Sequence, residues 1–183
     1  NQAIAEQVGL RNDAVRDQTR LGIGLTIFQS LLTLVFALRR ELSAAAAATY
    51  VAVQTAGAVL GVWLAHAMFA EPILQLSTKL RDGPAQALSE FVAIFGLVGT
   101  IIGMVRFRPE ATAMAVGLYI TAAYWFTAST SFANPAVTVA RALTDSFAGI
   151  APASAPAFLL AQAIGAALAA AIFGWLLKDT DRP

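Results

Sequence analysis

The sequence predicts an all-α integral membrane protein: an inverted-repeat helical bundle that contains a re-entrant half-helix. Three observations carry this. First, 58% of the 183 residues are hydrophobic and only 13% are charged, about half the charge of an ordinary soluble domain, where about 25% is usual. Mean hydropathy is +0.68. Second, Ser131-Phe132-Ala133-Asn134-Pro135-Ala136-Val137-Thr138 reads as a helix start, yet no charge lies between Glu110 and Arg141. Asn is a favoured N-cap, and Pro at the first helical position loses no hydrogen bond. A helix that begins at membrane depth is tolerated only where its backbone is buried in protein or lines a cavity. Third, the chain repeats itself. Gln54-Thr55-Ala56-Gly57-Ala58-Val59-Leu60 matches Gln162-Ala163-Ile164-Gly165-Ala166-Ala167-Leu168 in register, and Thr33…Ala37-Leu38 parallels Thr138…Ala142-Leu143. Two related halves, each with a membrane-entering segment, are the pattern of inverted-repeat transport proteins.

The elements follow in order. Residues 1–20 are polar and charge-dense and form an aqueous flank. Residues 21–38 are uncharged but barely long enough for a hydrocarbon core of about 30 Å. Residues 44–70 are a clear span, 84–105 a second interrupted by Glu90, 111–129 a third leading into Asn134, and 155–177 the last. The stretch after Asn134 is too short to cross before Asp145, Gly149 and Pro152, so it enters and stays on one side. Arg39-Arg40, Arg106-Phe107-Arg108, and Lys178 with Arg182 fall on one side after four crossings, which the positive-inside rule makes cytoplasmic. Lys79 and Arg81 fall outside, accompanied by Glu71 and Asp82. Gly57/Gly61 and Gly99/Gly103 are GxxxG pairs, read as close helix packing.

Composition excludes other classes. With no cysteine and one histidine, a disulfide framework, a thiolate nucleophile and a Cys- or His-based metal site are all ruled out. A net charge of +1 points to no nucleic-acid partner. No Ser/His/acid spacing or glycine-rich phosphate loop supports an enzyme, and no cofactor is expected. The chain begins with Asn and no signal-peptide pattern precedes its first span, so native sequence upstream is expected. His66, near a span end, reads as an interface residue. Trp63, Trp125 and Trp175 read as aromatic-belt or lipid-facing residues, and Tyr119 and Tyr124 as packing.

Phe132 to Leu143 resembles the second Asn-Pro-Ala box of the aquaporin and aquaglyceroporin (major intrinsic protein) family. Residues 50–61 resemble that family's third helix, Ser89-Glu90-Phe91 its fourth and 162–168 its sixth. The similarity covers roughly 45–177, with Ala5-Glu6-Gln7 like the end of a first helix. The resemblance implies a membrane channel for passive permeation of water, glycerol-like polyols or metalloid hydroxides such as arsenite. It implies a homotetramer in the inner (plasma) membrane, with the lipid bilayer and small neutral solutes as partners. Pores of this type select by diameter, lining hydrogen-bond groups and half-helix dipoles. By resemblance Asn134, Pro135 and Ala136 form the pore motif, and Asn134 donates a side-chain N–H to the passing solute. Carbonyls from Ser129 to Ala133 form an acceptor line, and Glu90 is a buried acceptor holding that loop. The selectivity filter falls on Ala122, Ser131 and Val137. The family usually carries Arg at the Val137 position, and its water-selective members carry His at the Ala122 position. Small apolar replacements imply a wider, less cation-repelling constriction, and Val resembles the bacterial branch linked to arsenic-resistance gene clusters. Arg141, one turn on, is expected to face Asp145 or solvent as the polar face of the half-helix, with partial substitution for the missing filter Arg as the alternative.

The first half departs from the family. Aligning Thr33 with Thr138 sets Gln29-Ser30-Leu31, a degenerate motif, where the first Asn-Pro-Ala should stand. The alternative makes residues 21–36 a second helix and deletes the first half-helix. Relative to a full set of spans about 40 residues are missing, and a coding lesion within residues 9–32 is one cause. The organisation is then 1–43 as an incomplete, truncated or degenerate first-repeat region, 44–105 as helices three and four, and 106–183 as the second-repeat pore region. Two alternatives stand beside the channel: a non-conducting fragment, and a secondary transporter with broken helices. The transporter lacks paired ionisable groups in its spans, Glu90 excepted.

Overall fold

The computed structural model describes residues 43–177. The expected degenerate motif Gln29-Ser30-Leu31, the Arg39-Arg40 cluster and the terminal Lys178 and Arg182 lie outside the described residues. Among the described residues five α-helices run in order: α1 Ala44–Met68, α2 Pro84–Phe107, α3 Thr112–Phe126, α4 Pro135–Arg141 and α5 Ala155–Leu176, with a 3-10 turn at Pro109–Ala111. No strand occurs among the described residues. α1, α2 and α5 are each long and apolar enough to cross a membrane, so the chain is an all-α, multi-pass membrane protein.

Local chemistry sets the helix starts. Ser43 caps α1 by accepting from the Ala46 N–H at 3.2 Å. Pro84 opens α2, where a missing N–H is harmless. Inside α1 and α3, the hydroxyls of Thr49, Thr55 and Thr121 donate back to carbonyls four residues earlier, so they are satisfied without water.

α2 packs chiefly against α5. Ala93, Ile94, Leu97, Val98 and Ile101 of α2 meet Ala166 and Ala169 of α5 in one buried cluster that also holds Ala133. A glycine makes the contact close: a Cβ on Gly165 would stand 2.7 Å from the Phe91 carbonyl and 2.5 Å from Ile94 Cγ2. By contrast, nothing lies within 4 Å of a Cβ added at Gly57, Gly61 or Gly103. Of the two GxxxG pairs, then, only Gly99 makes a close approach, to the Phe173 ring. Gly165→Leu is expected to destabilise the bundle by about 1–3 kcal/mol through overpacking, whereas Gly103→Leu should leave it nearly unchanged. Thermal unfolding of the two variants in detergent checks this.

α3 is shorter than the expected 111–129 span. Its fifteen residues reach about 22 Å at 1.5 Å per residue. It ends because Thr127 turns extended (φ −103°, ψ 139°) while its N–H and hydroxyl both return to the Ala123 carbonyl. Ala128 is then drawn to α2, its N–H to Ser89 Oγ and its carbonyl to Gln86 Nε2. The chain then runs without helix to Pro135, where α4 begins.

Candidate functional site

The segment from Ser129 to Asn134 is strained. Thr130, Ser131 and Ala133 have φ of 62°, 43° and 47°, the left-handed region that residues with a Cβ enter at a cost of order 1–3 kcal/mol each. The Thr130 and Ser131 amides are satisfied locally, by the Thr127 carbonyl and Ser129 Oγ. Glu90 of α2 takes the next two. Its carboxylate is fully buried and accepts from Phe132 N at 2.8 Å, Ala133 N at 2.9 Å, Ser129 Oγ at 2.6 Å and Gln162 Nε2 at 2.7 Å. All four partners donate, so both oxygens act only as acceptors.

From this carboxylate a chain of hydrogen bonds reaches the half-helix. Gln162 Nε2 also donates to Thr138 Oγ1 at 2.9 Å, and Thr138 Oγ1 donates to the Asn134 carbonyl at 3.0 Å. Asn134 is extended (φ −159°, ψ 125°) and caps α4, its Oδ1 accepting from Ala136 N at 2.9 Å. Gln162 is buried completely in a span read as apolar. Its signal was the repeat, where it is the counterpart of Gln54.

A strap fastens the other end of α4. The segment between α1 and α2 lies across the chain that follows the half-helix: Ser77 N donates to the Ala142 carbonyl and Ala151 N to the Lys79 carbonyl. Gly149 lets the two segments close, since a Cβ there would stand 2.4 Å from Ser77 Oγ. Arg81, read as an outside charge, is 6% exposed. Its Nε, Nη1 and Nη2 donate to the carbonyls of Gly149 (2.7 Å), Ser129 (3.1 Å) and Phe147 (2.9 Å). Burial pulls its pKa below the ordinary value, while Tyr124 and Glu90 oppose that shift. A guanidinium cannot give up its proton in proteins, so this loop carries a fixed positive charge. The Ser129 carbonyl, first of the expected acceptor line, thus takes one hydrogen bond from Arg81 and keeps a second lone pair.

Arg141 corrects another expectation. It faces neither Asp145 nor open solvent: its guanidinium lies 4.3 Å from the Phe132 ring centroid and 5.9 Å from that of Tyr124. Asp145 is taken instead by Thr78, whose N–H and hydroxyl donate at 2.8 and 3.0 Å. These bonds hold the exposed Asp145 carboxyl below its usual 3.8. Because the folded value is lowered, its contribution is complete above the unfolded value and is lost as pH falls through the folded one. Asp145→Asn should therefore remove the part of the acid-induced loosening of this strap that sets in below about pH 4, measured by hydrogen exchange across residues 75–80.

The expected filter residues divide. Val137 lines a cavity of about 290 Å³ between α1 and α4, together with Ala58, Gly61, Val62, His66 and Arg141. Ser131 is buried beside the half-helix start, and its hydroxyl has no hydrogen-bond partner. Ala122 is exposed on α3, away from that cavity. His66, read as an interface residue, is buried at 5% exposure.

The chain is similar to the aquaglyceroporin AqpS of Rhizobium meliloti (strain 1021), with 55% identity over 151 residues, covering 82% of this chain and 65% of that protein. The chain therefore spans a little under two thirds of this relative's length. No family model and no solved structure matches it.

Proposed function

We propose, because the chain belongs to the aquaporin and aquaglyceroporin family, that it forms a passive membrane passage for small uncharged solutes of the glycerol class. The observation that carries the reading is the buried half-helix start: a seven-residue helix capped by Asn134 and held through Gln162 and Thr138 to Glu90. That network reserves a buried carboxylate, an amide and a hydroxyl for positioning one backbone segment. A protein has no packing reason to bury so many polar groups at one place. The Asn134 side-chain oxygen is committed to the cap, which fixes the half-helix start at this point. The unpartnered Ser131 hydroxyl and the apolar Val137 support a constriction that accepts polyols as well as water. Ala122 takes the third filter position in this proposal, and Asn134-Pro135-Ala136 the pore motif. Metalloid hydroxides such as arsenite, being small, neutral and hydroxylated, fall within the same class.

Residence in the inner (plasma) membrane and assembly as a homotetramer belong to the same proposal. They are supported by the exposed apolar side chains of α1 and α5, among them Val53, Leu60, Leu64, Leu160 and Ile164, which need lipid or a neighbouring copy. The test is proteoliposome swelling with the whole chain. Glycerol entry should rise linearly with the imposed gradient and exceed that of empty vesicles. Entry that saturates at low millimolar glycerol, or that needs an ion gradient, would indicate a coupled carrier instead. Entry no faster than in empty vesicles would indicate a non-conducting fragment.

A further inference from the structure

We infer that Arg81 and Arg141 together form the charge barrier of the passage, excluding cations that the apolar Val137 alone would admit. The inference rests on the passage reading above and deepens it. The guanidinium of Arg81 lies 5.2 Å from the Phe132 ring centroid and that of Arg141 4.3 Å from it. The two charges therefore stand within about 10 Å of each other, roughly one Debye length at about 0.1 M salt. Arg81 is accounted for by the three carbonyls it joins. Arg141 has no such account. It is half-buried, its Nη1 is buried without a partner, and Asp145 is taken by Thr78. Among the described residues no carboxylate forms an ion pair with either arginine. A charge held against aromatic rings costs desolvation that an apolar side chain in the same place would not. Packing is therefore a poor reason for a cation at this position.

Its position relative to Val137 supplies a reason. Residues four apart share a helix face, and Val137 and Arg141 border the same cavity of about 290 Å³, with Thr144 and Ser146 also on its wall. A charge acts through space, so no N–H need open on that cavity. At an effective dielectric of about 20, one unit charge about 10 Å away disfavours a cation by roughly ten-fold. Glu90 is the acid that acts on both arginines, and its carboxylate offsets one of the two charges. The other remains. A neutral solute feels no net force from it. An anion is attracted, but the apolar wall of Ala58, Val62 and Val137 offers nothing in place of its hydration. The positive charge missing at residue 137 is thus supplied from one turn along the half-helix and from the strap that crosses it.

The probes are guanidinium and glycerol, measured in the same proteoliposomes with the membrane potential clamped by potassium and valinomycin. Their ratio cancels differences in the amount of inserted protein. Guanidinium is the smaller of the two and only weakly hydrated, so a passage that takes glycerol can refuse it by charge but not by width. Unaltered protein should pass guanidinium at least ten-fold more slowly than glycerol. Arg141→Met should raise the guanidinium-to-glycerol ratio about ten-fold, and Arg141→Lys, which keeps the charge, should leave it low. Arg81→Met and Arg81→Lys both loosen the strap, so only a charge effect separates them: the ratio should rise in the first and not in the second. Should Arg81→Met fail to insert, the Arg141 pair decides. Guanidinium entry as fast as glycerol in the unaltered protein overturns the barrier and leaves the passage standing. So does a ratio unchanged in Arg141→Met, or one that rises equally in Arg141→Met and Arg141→Lys. Unaltered protein that passes glycerol no faster than empty vesicles overturns the passage, and the barrier with it.

Discussion

Glu90→Ala is expected to cost about 3–5 kcal/mol, the range for removing one member of a buried, hydrogen-bonded charged network. The reason lies in the donors left behind. Phe132 N, Ala133 N, Ser129 Oγ and Gln162 Nε2 all point at this carboxylate, and no water-filled groove stands ready to replace it, since Glu90 is 0% exposed. Three residues of the segment it holds are in left-handed geometry, and without the two backbone bonds that strain has no compensation. Glu90→Gln should lose more than half as much, because its amide turns one acceptor into a donor facing other donors. Glu90→Asp, a methylene shorter, cannot reach partners on both sides and should fall between. Thermal unfolding in detergent measures the loss, and hydrogen exchange at residues 129–136 localises it. A Glu90→Ala protein as stable as the parent would remove the scaffold from this account.

The second large effect is expected at Arg81. Arg81→Ala deletes three charge-assisted bonds, to Gly149, Ser129 and Phe147, and should destabilise by about 2–4 kcal/mol, since water can repay part of what the carbonyls lose. Three contacts on one planar fork join the segment before the half-helix to the loop after it. The Arg81→Lys ammonium is a point charge on a flexible stem and cannot span three carbonyls fixed by separate segments, so it should recover less than half. The same variants should raise hydrogen exchange in residues 142–151 while leaving α2 and α5 protected. Equal loosening of the whole bundle would mean that Arg81 stabilises the fold generally instead of seating the half-helix.

What could be read from the sequence was what short-range chemistry encodes. Asn134 followed by Pro135 marks a helix start wherever it occurs, and the absence of charge around it placed that start inside the membrane. Glu90, isolated in an apolar span, had to be either functional or interfacial. The expected Pro84 start and the 155–177 span agree with α2 and α5 to within a few residues. The features that were missed depend on partners far along the chain. Arg81 meets carbonyls 48 to 68 residues away, so a charge in a loop looked like a charge in water. α3 ends at Phe126 with no Gly or Pro to announce it, because Ser89 and Gln86 of another helix capture Ala128. The GxxxG pairs show the converse. Small residues mark where backbones can approach, yet among the described residues Gly57, Gly61 and Gly103 meet nothing.

The most direct test of the central claim uses the absence of cysteine from this chain, since any introduced thiol is then the sole target. Thiols react as thiolates, which form where water reaches them. In reconstituted vesicles, Val137→Cys on the half-helix should react with a small water-soluble methanethiosulfonate, and glycerol should slow that reaction. Leu160→Cys, on the exposed apolar face of α5, should stay inert. An inert thiol at 137 together with a reactive one at 160 would mean that the half-helix borders no aqueous path and that the solute passage lies elsewhere or does not exist.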